Sequence, residues 1–280
     1  MNARDSGTFQ LGTDLPVHRL GFGAMRITGD GVWGPPRDED EALAVLRRAI
    51  ELGVNLIDTA ESYGPHVSEE LIAKALHPYP RDLVIATKGG FDRPGPGQWV
   101  VNCRPERLRE ELEGSLRRLR LERIDLYQLH RIDSNVPEAD QFETLAAFQR
   151  EGKVRHIGLS EVSVDDIKRA RKHIDVVSVQ NLYNLADRQW ESVLEYCERE
   201  NIGFIPWFPL QTGKLAGKRG ELARIAQAHQ ATPAQIALAW LLHHSPVMLP
   251  IPGTSQVKHL EENIAAASIG LTDEEIAAIG

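Results

Sequence analysis

This chain of 280 residues offers little to build a covalent or metallic anchor. Its two cysteines, Cys103 and Cys197, stand far apart. That argues against a disulfide scaffold or a cysteine zinc site and suits a reducing compartment. Positive charge is in deficit: 32 Lys and Arg against 40 Asp and Glu leave a formal net charge of −8. A nucleic-acid binder needs a concentrated positive field, so that class fits poorly. No apolar run approaches the length of a membrane span, and the opening MNARDSGTFQ lacks the apolar stretch of a signal peptide. The expectation is a cytoplasmic protein with neither nucleic-acid nor membrane partners. Histidines are present, but none falls in His-x-His or HExxH spacing. His243 and His244 are adjacent, and neighbours on a helix point apart, so no metal is expected. Missing too is GxGxxG after the first strand; Gly21, Gly23 and Gly29 have the wrong spacing.

What is present is alternation. Short β-branched runs are each followed by a helical pattern. Leu20–Gly23 reads as strand one, and Asp38–Leu52 as a helix with Ala42, Val45, Leu46, Ala49 and Ile50 on one face, ended by Gly53. Asn55–Asp58 is strand two, and Ser68 starts the next helix. Leu83–Lys88 is strand three, followed by a helix from Pro105 to Leu119. Ile124–Leu129 precedes a helix over Pro137–Arg150, and Val154–Leu159 precedes one opening at Ser163. Val176–Gln180 precedes a helix over Gln189–Glu200. Gly203–Phe208 is strand seven, and Thr232–Pro233 opens a long helix. Val247–Ile251 is strand eight, followed by a helix over Gln256–Ala267.

Eight strand–helix units in 280 residues give about 35 residues each. That alternation implies parallel strands with right-handed crossovers. Eight units favour a closed α/β (β/α)8 TIM barrel over an open doubly wound sheet. No linker rich in Gly, Ser or Pro divides the chain, so residues 1–280 are expected to form a single domain. The Pro94–Gly97 stretch reads as a loop.

A barrel keeps its chemistry at the C-terminal ends of its strands. Strand two ends in Asp58, with Tyr63 shortly after it; strand three ends in Lys88 and strand four in His130. Ser160, Gln180 and Trp207 lie at or beside the ends of strands five to seven. Any one of these alone is usually a cap, a packed side chain or a solvated one. Four reactive types on adjacent strand ends are hard to explain by packing. Their chemistry is coherent: a Lys88 ammonium lowers the pKa of a neighbouring Tyr63 hydroxyl, and Asp58 keeps the ammonium charged and oriented. His130 can donate to a substrate oxygen. Such a set delivers a proton to a carbonyl oxygen, while the hydride must come from a cofactor.

The motifs NLIDTAESYG, ATKGG, LYQLHRID, VRHIGLSE, VSVQNLYN, FIPWFPL and IPGTSQVKHLEEN occur in an order that resembles the aldo-keto reductase family over nearly the whole chain. The resemblance implies a (β/α)8 barrel using NADPH/NADP+ without a Rossmann domain. It implies Tyr63 as general acid, Lys88 and Asp58 as its tuning pair, and His130 as the substrate-orienting donor. Ser160 and Gln180 would hold the nicotinamide carboxamide, and Trp207, where the family usually has Tyr, would stack on the ring. Gly253, Thr254, Ser255, Gln256, His259, Glu262 and Asn263 match the adenosine-holding segment.

Three positions depart from the pattern. Glu161 replaces the usual Asn of GLSN, Gly253 replaces a frequent basic residue, and His259 stands where Arg often meets the 2′-phosphate. GLSEVSV, VSVQNLYNLADR and GFIPWFPL are similar to a bacterial branch associated with pyridoxal or pyridoxine. Trp33, Phe91 and Trp99, in the loops after strands one and three, are expected to wall a substrate pocket. The implied partner is a small carbonyl compound, and the implied state a monomer or weak oligomer. Two other readings remain at this point: a Schiff-base aldolase with Lys88 as nucleophile, and a cofactor-binding regulatory protein with slow turnover.

Overall fold

The computed structural model describes residues 1–210 and 219–280. The chain opens with an antiparallel hairpin, β1 (Thr8–Leu11) and β2 (Leu15–His18). Three parallel strands follow: β3 (Phe22–Gly23), β4 (Leu56–Asp58) and β5 (Val84–Gly89). A second small hairpin, β6 (Phe91–Asp92) and β7 (Val100–Val101), is inserted after them. Four more parallel strands complete the sheet: β8 (Ile124–Leu129), β9 (Val154–Ser160), β10 (Val176–Gln180) and β11 (Gly203–Phe204). In space they run β11-β10-β9-β8-β5-β4-β3.

The expected eighth strand, 247–251, takes the open place between the two edges without forming a regular ladder. Phe204 N–H donates to Val247 O at 2.8 Å, Leu249 N–H to Phe204 O at 2.8 Å, and Gly21 N–H to Pro250 O at 2.9 Å. Pro250 has no N–H to give, so pairing there is partial. The result is a closed (β/α)8 barrel. Strand seven is shorter than expected as a ladder. Ile205 and Trp207 still donate to β10 and its extension, but Pro206 cannot, and Phe208 turns at φ +60°.

The helices form where their capping chemistry dictates. α1 (Glu39–Glu51) is capped by Asp38, whose side chain accepts from Glu41 N–H, and Gly53 leaves it at φ +80°. α2 (Val67–Leu76) begins one residue before the expected Ser68. The Ser68 hydroxyl is instead buried against Thr59 and Ala24 O. α3 (Pro105–Leu119) has Pro at its first position, and α4 covers Glu138–Arg150. α5 (Val164–Ala170) opens with a Ser163–Asp166 capping box; α6 covers Glu191–Glu200. α7 (Arg219–Ala228) was not expected from the sequence. α8 (Pro233–His244) opens with a Thr232–Gln235 capping box, and α9 covers Val257–Ala265. α10 (Asp273–Ile279), also unexpected, lies against α7. Each barrel helix buries an apolar face; on α1 it is Ala42, Val45, Leu46 and Ala49. Truncating one such Leu to Ala costs about 2–5 kcal/mol.

The first hairpin closes the N-terminal end of the barrel. Asp14 pairs with Arg155 and His156 near the start of β9. Leu11 and Phe9 pack under Gly203 at the start of β11, where a Cβ would meet Leu11 Cδ2 at 2.8 Å. The opposite end is left for loops. Among the described residues, no helix is long and apolar enough to cross a membrane, and no cluster of potential metal ligands occurs.

Candidate active site

At the C-terminal end of the barrel, β4 and β5 bring Asp58 and Lys88 together. The ammonium is fully buried and all three of its protons have acceptors. Lys88 Nζ donates to Asp58 Oδ1 at 2.6 Å, to Thr59 O at 2.8 Å and to Tyr63 Oη at 3.3 Å. The other carboxylate oxygen, Asp58 Oδ2, accepts from Gln128 Nε2 at 3.0 Å and Gln180 Nε2 at 2.8 Å. A buried ion pair persists only when its remaining lone pairs and protons are satisfied, as here.

Burial pulls the Lys88 pKa down, but the charges of Asp58 and Tyr63 outweigh it and the net direction is upward. The amine therefore stays protonated, which removes the Schiff-base nucleophile reading. At Tyr63 the Lys88 ammonium acts downward as expected, but burial outweighs it. Burial raises the hydroxyl above its ordinary value; the Lys88 charge opposes this, and the Asp58 charge reinforces it. The resting hydroxyl is a protonated donor beside a fixed cation. His130 is pushed well below its ordinary value by burial, then by the charges of Lys88, Arg131 and Arg93. It is a neutral imidazole at pH 7, with one N–H to donate. Its ring stands edge-on to Phe91 at 4.7 Å, and edge-on to Tyr63 at 6.0 Å.

These groups border a cavity of about 630 Å³ lined by Asp58, Tyr63 and His130, with Phe91 and Trp99 as aromatic walls. Lys88 stands behind Asp58 and Tyr63 rather than on the surface. Trp33 does not line the cavity. Its backbone bridges to Gly64, and the Arg93 guanidinium, 3.6 Å from the Trp99 ring and 5.4 Å from the Trp33 ring, lies against both indoles.

Ser160, Gln180, Trp207 and Gly253 also line the cavity. The Gln180 amide nitrogen is committed to Asp58, so toward a ligand its oxygen is the available group. Ser160 Oγ accepts from Arg131 Nη1 at 3.1 Å. A Cβ at Gly253 would sit 2.5 Å from Gly23 O, which explains why a larger residue does not stand there. Beyond Gly253 the segment leaves the cavity. Thr254 and Asn263 are buried, while Ser255, Gln256 and His259 are exposed and Glu262 is half-buried. Thr254 Oγ1 accepts from Gln256 N–H, and the first N–H of α9, that of Val257, donates to Glu41 Oε1 at 2.9 Å. A carboxylate thus sits at the helix start where the sequence suggests a phosphate.

Three contacts escaped the sequence reading. Gln128 orients Asp58, and its signal is a lone amide inside the apolar run of β8. Arg131 lines the cavity and donates to His130 O at 2.6 Å as well as to Ser160. Glu161 Oε1 accepts from Trp207 Nε1 and from Leu182 N–H, both at 2.6 Å. That contact joins residues from two different loops and leaves no local signature.

A flat indole, a hydroxyl and an amide side chain thus line one side of the cavity. Residues 19–280 match the profile of the Aldo/keto reductase family. The chain is 54% identical over 277 residues to an uncharacterised oxidoreductase of Schizosaccharomyces pombe, covering 99% of this chain and 90% of that one. It is 42% identical over 280 residues to pyridoxine 4-dehydrogenase of Escherichia coli, covering 98% and 97%. It superposes on the crystal structure of an aldo-keto reductase from Klebsiella pneumoniae in complex with NADPH with a TM-score of 0.82 and 26% identity, covering 97% and 93%. With near-complete coverage and the barrel in agreement, the chain belongs to the aldo/keto reductase family of oxidoreductases.

Proposed function

We propose that residues 1–280 act as one catalytic domain, a monomer or weak oligomer, that reduces a small aldehyde or ketone to an alcohol with NADPH, reversibly. The observation that carries this reading is the Tyr63 hydroxyl on the cavity wall with the Lys88 ammonium 3.3 Å behind it. A substrate carbonyl oxygen between Tyr63 Oη and His130 would receive two hydrogen bonds. When the carbonyl carbon is reduced, charge grows on that oxygen and Tyr63 gives up its proton. The phenolate left behind is stabilised by Lys88, whose own charge is held by Asp58. Bound NADPH would supply the hydride. Trp207, Ser160 and the Gln180 oxygen are the groups available to a nicotinamide. Phe91 and Trp99 exclude water beside the carbonyl and favour an aromatic or apolar substrate.

The Escherichia coli relative's name supports pyridoxal and pyridoxine as the substrate pair. Following NADPH absorbance with a panel of aldehydes that includes pyridoxal tests this. Turnover with pyridoxal at the highest kcat/KM is the expected result; no NADPH consumption with any aldehyde would overturn the reading. For the cofactor, Thr254, Ser255, Gln256, Lys258 and His259 support NADPH over NADH, and Glu41 on the α9 start works against a wide margin. We expect a moderate NADPH preference in kcat/KM at pH 6 and pH 8. A preference for NADH at both would contradict it.

A further inference from the structure

Glu161 and Trp207 are tied in a way the proposed reaction does not require. Glu161 follows β9 with φ +54°, a left-handed conformation unfavourable for a residue with a Cβ. The strain is held in place at both ends. Glu161 N–H donates to Gln180 O at 3.0 Å, and its Oε1 takes the Leu182 and Trp207 N–H groups. Two donors on one oxygen is the pattern of a carboxylate acting only as an acceptor. Leu182 and Trp207 are themselves bridged, so the carboxylate clamps the extension of β10 to that of β11.

The clamp has an electrical consequence. Trp207 lines the cavity, so its ring carries the effect of the Glu161 charge to the site. An aromatic face is already negative, and an anion on the indole N–H makes it more so. Among the described residues, the other charges near the cavity are Lys88, balanced by Asp58, and the cations Arg131, Arg26 and Arg93. Glu161 is the anion acting on Arg131.

We propose that Glu161, acting through Trp207, shifts the relative affinity of the site toward the positively charged, oxidised nicotinamide and away from the neutral, reduced one. This rests on the reading that the cavity holds NADP(H). An oxidised nicotinamide is a pyridinium cation and a reduced one is neutral. A negative ring face with a carboxylate on its N–H edge therefore separates the two forms. Glu161 is a positioning residue here, since it reaches the site through the indole.

The test is the dissociation constant of NADP+ and of NADPH, measured by calorimetry without substrate. Glu161→Gln keeps an acceptor oxygen for both N–H groups and removes the charge. It should weaken NADP+ roughly 3- to 10-fold, the range of a cation–ring interaction, and leave NADPH within about twofold. Trp207→Phe, which keeps the charge but breaks the link, should move the ratio the same way and by less. Equal shifts for both nucleotides, or no shift in either variant, would overturn the inference while leaving the cofactor reading intact. Failure of the wild-type protein to bind either nucleotide would overturn both.

Discussion

The floor of the cavity and the rim leading to α9 are built on different principles. On the floor, Asp58, Lys88 and Tyr63 are buried and held by Thr59, Gln128 and Gln180. On the rim, Ser255, Gln256, Lys258 and His259 are exposed, and Lys258 reaches Glu262 at 4.0 Å. The floor is preorganised, so proton transfer requires no rearrangement of its own groups. The rim is free to adapt, so it sets affinity for the distant part of a ligand rather than the rate of the reaction. Changes on the floor should therefore act on rate and stability, and changes on the rim on binding.

The largest effect should come from Lys88→Met. It leaves the Asp58 carboxylate buried without a counter-charge, which costs about 3–5 kcal/mol. Calorimetry should register a fall in Tm on the order of 10 °C for a chain of this size. Turnover should fall at least as far as the general-acid contribution of ~10²–10⁴. Asp58→Asn should do less harm, because the cation stays beside Tyr63. A Lys88→Met enzyme with unchanged Tm and rate would erase the contrast between floor and rim.

Next is His130→Ala, which should raise KM and lower kcat together across several aldehydes. It should also change the acid limb of stability. His130 is held neutral in the fold, whereas the unfolded chain takes up a proton near pH 6.5. The folded state therefore loses stability as pH falls below that value, and stability is intact above it. In the Ala variant, Tm should fall less steeply on acidification; identical slopes would contradict this.

Glu111 gives a smaller effect of opposite sign. Its carboxyl lies behind the floor, accepts from Gly90 N–H at 2.6 Å and is pushed up to about 8 by burial, with the Glu61 charge adding and Arg107 opposing. The folded state then keeps a proton that the unfolded chain releases above pH ~4.3, so stability falls as pH rises toward 8. Glu111→Gln is neutral throughout and should narrow the Tm difference between pH 5 and pH 8 by a few degrees. An unchanged difference would show that the floor does not extend this far. The smallest effect should be on the rim. Lys258→Ala should weaken NADPH about twofold to fivefold with kcat preserved, because an exposed charge contributes little. A loss of kcat would contradict the division.

The floor was legible in the sequence because each of its reactive residues terminates, or closely follows, a short apolar run, and parallel strands align those ends. The barrel was legible for the same reason. Where the reading failed, the local signal was too short or the deciding contact was distant in the chain. The β1–β2 hairpin buries Phe9, Leu11, Leu15 and Val17 in alternation, but each strand is only four residues long. Strand eight is interrupted by Pro250 and exists as scattered bonds to both neighbours. Trp33 read as a pocket wall because it is aromatic and in a loop. It packs against Arg93 and bridges to Gly64 instead. The direction of the Tyr63 shift required knowing how deeply the hydroxyl is buried, which spacing does not reveal. Gln128 and the Glu161–Trp207 contact depend on which strand ends meet across the cavity.

The central claim is that proton delivery belongs to one hydroxyl on the floor and is separable from cofactor binding. Tyr63→Phe keeps the ring and removes only that hydroxyl. NADPH titration followed by a single turnover with a reactive aldehyde should give a wild-type dissociation constant and a rate lower by ~10²–10⁴. A near-wild-type rate in the Phe variant would contradict the account.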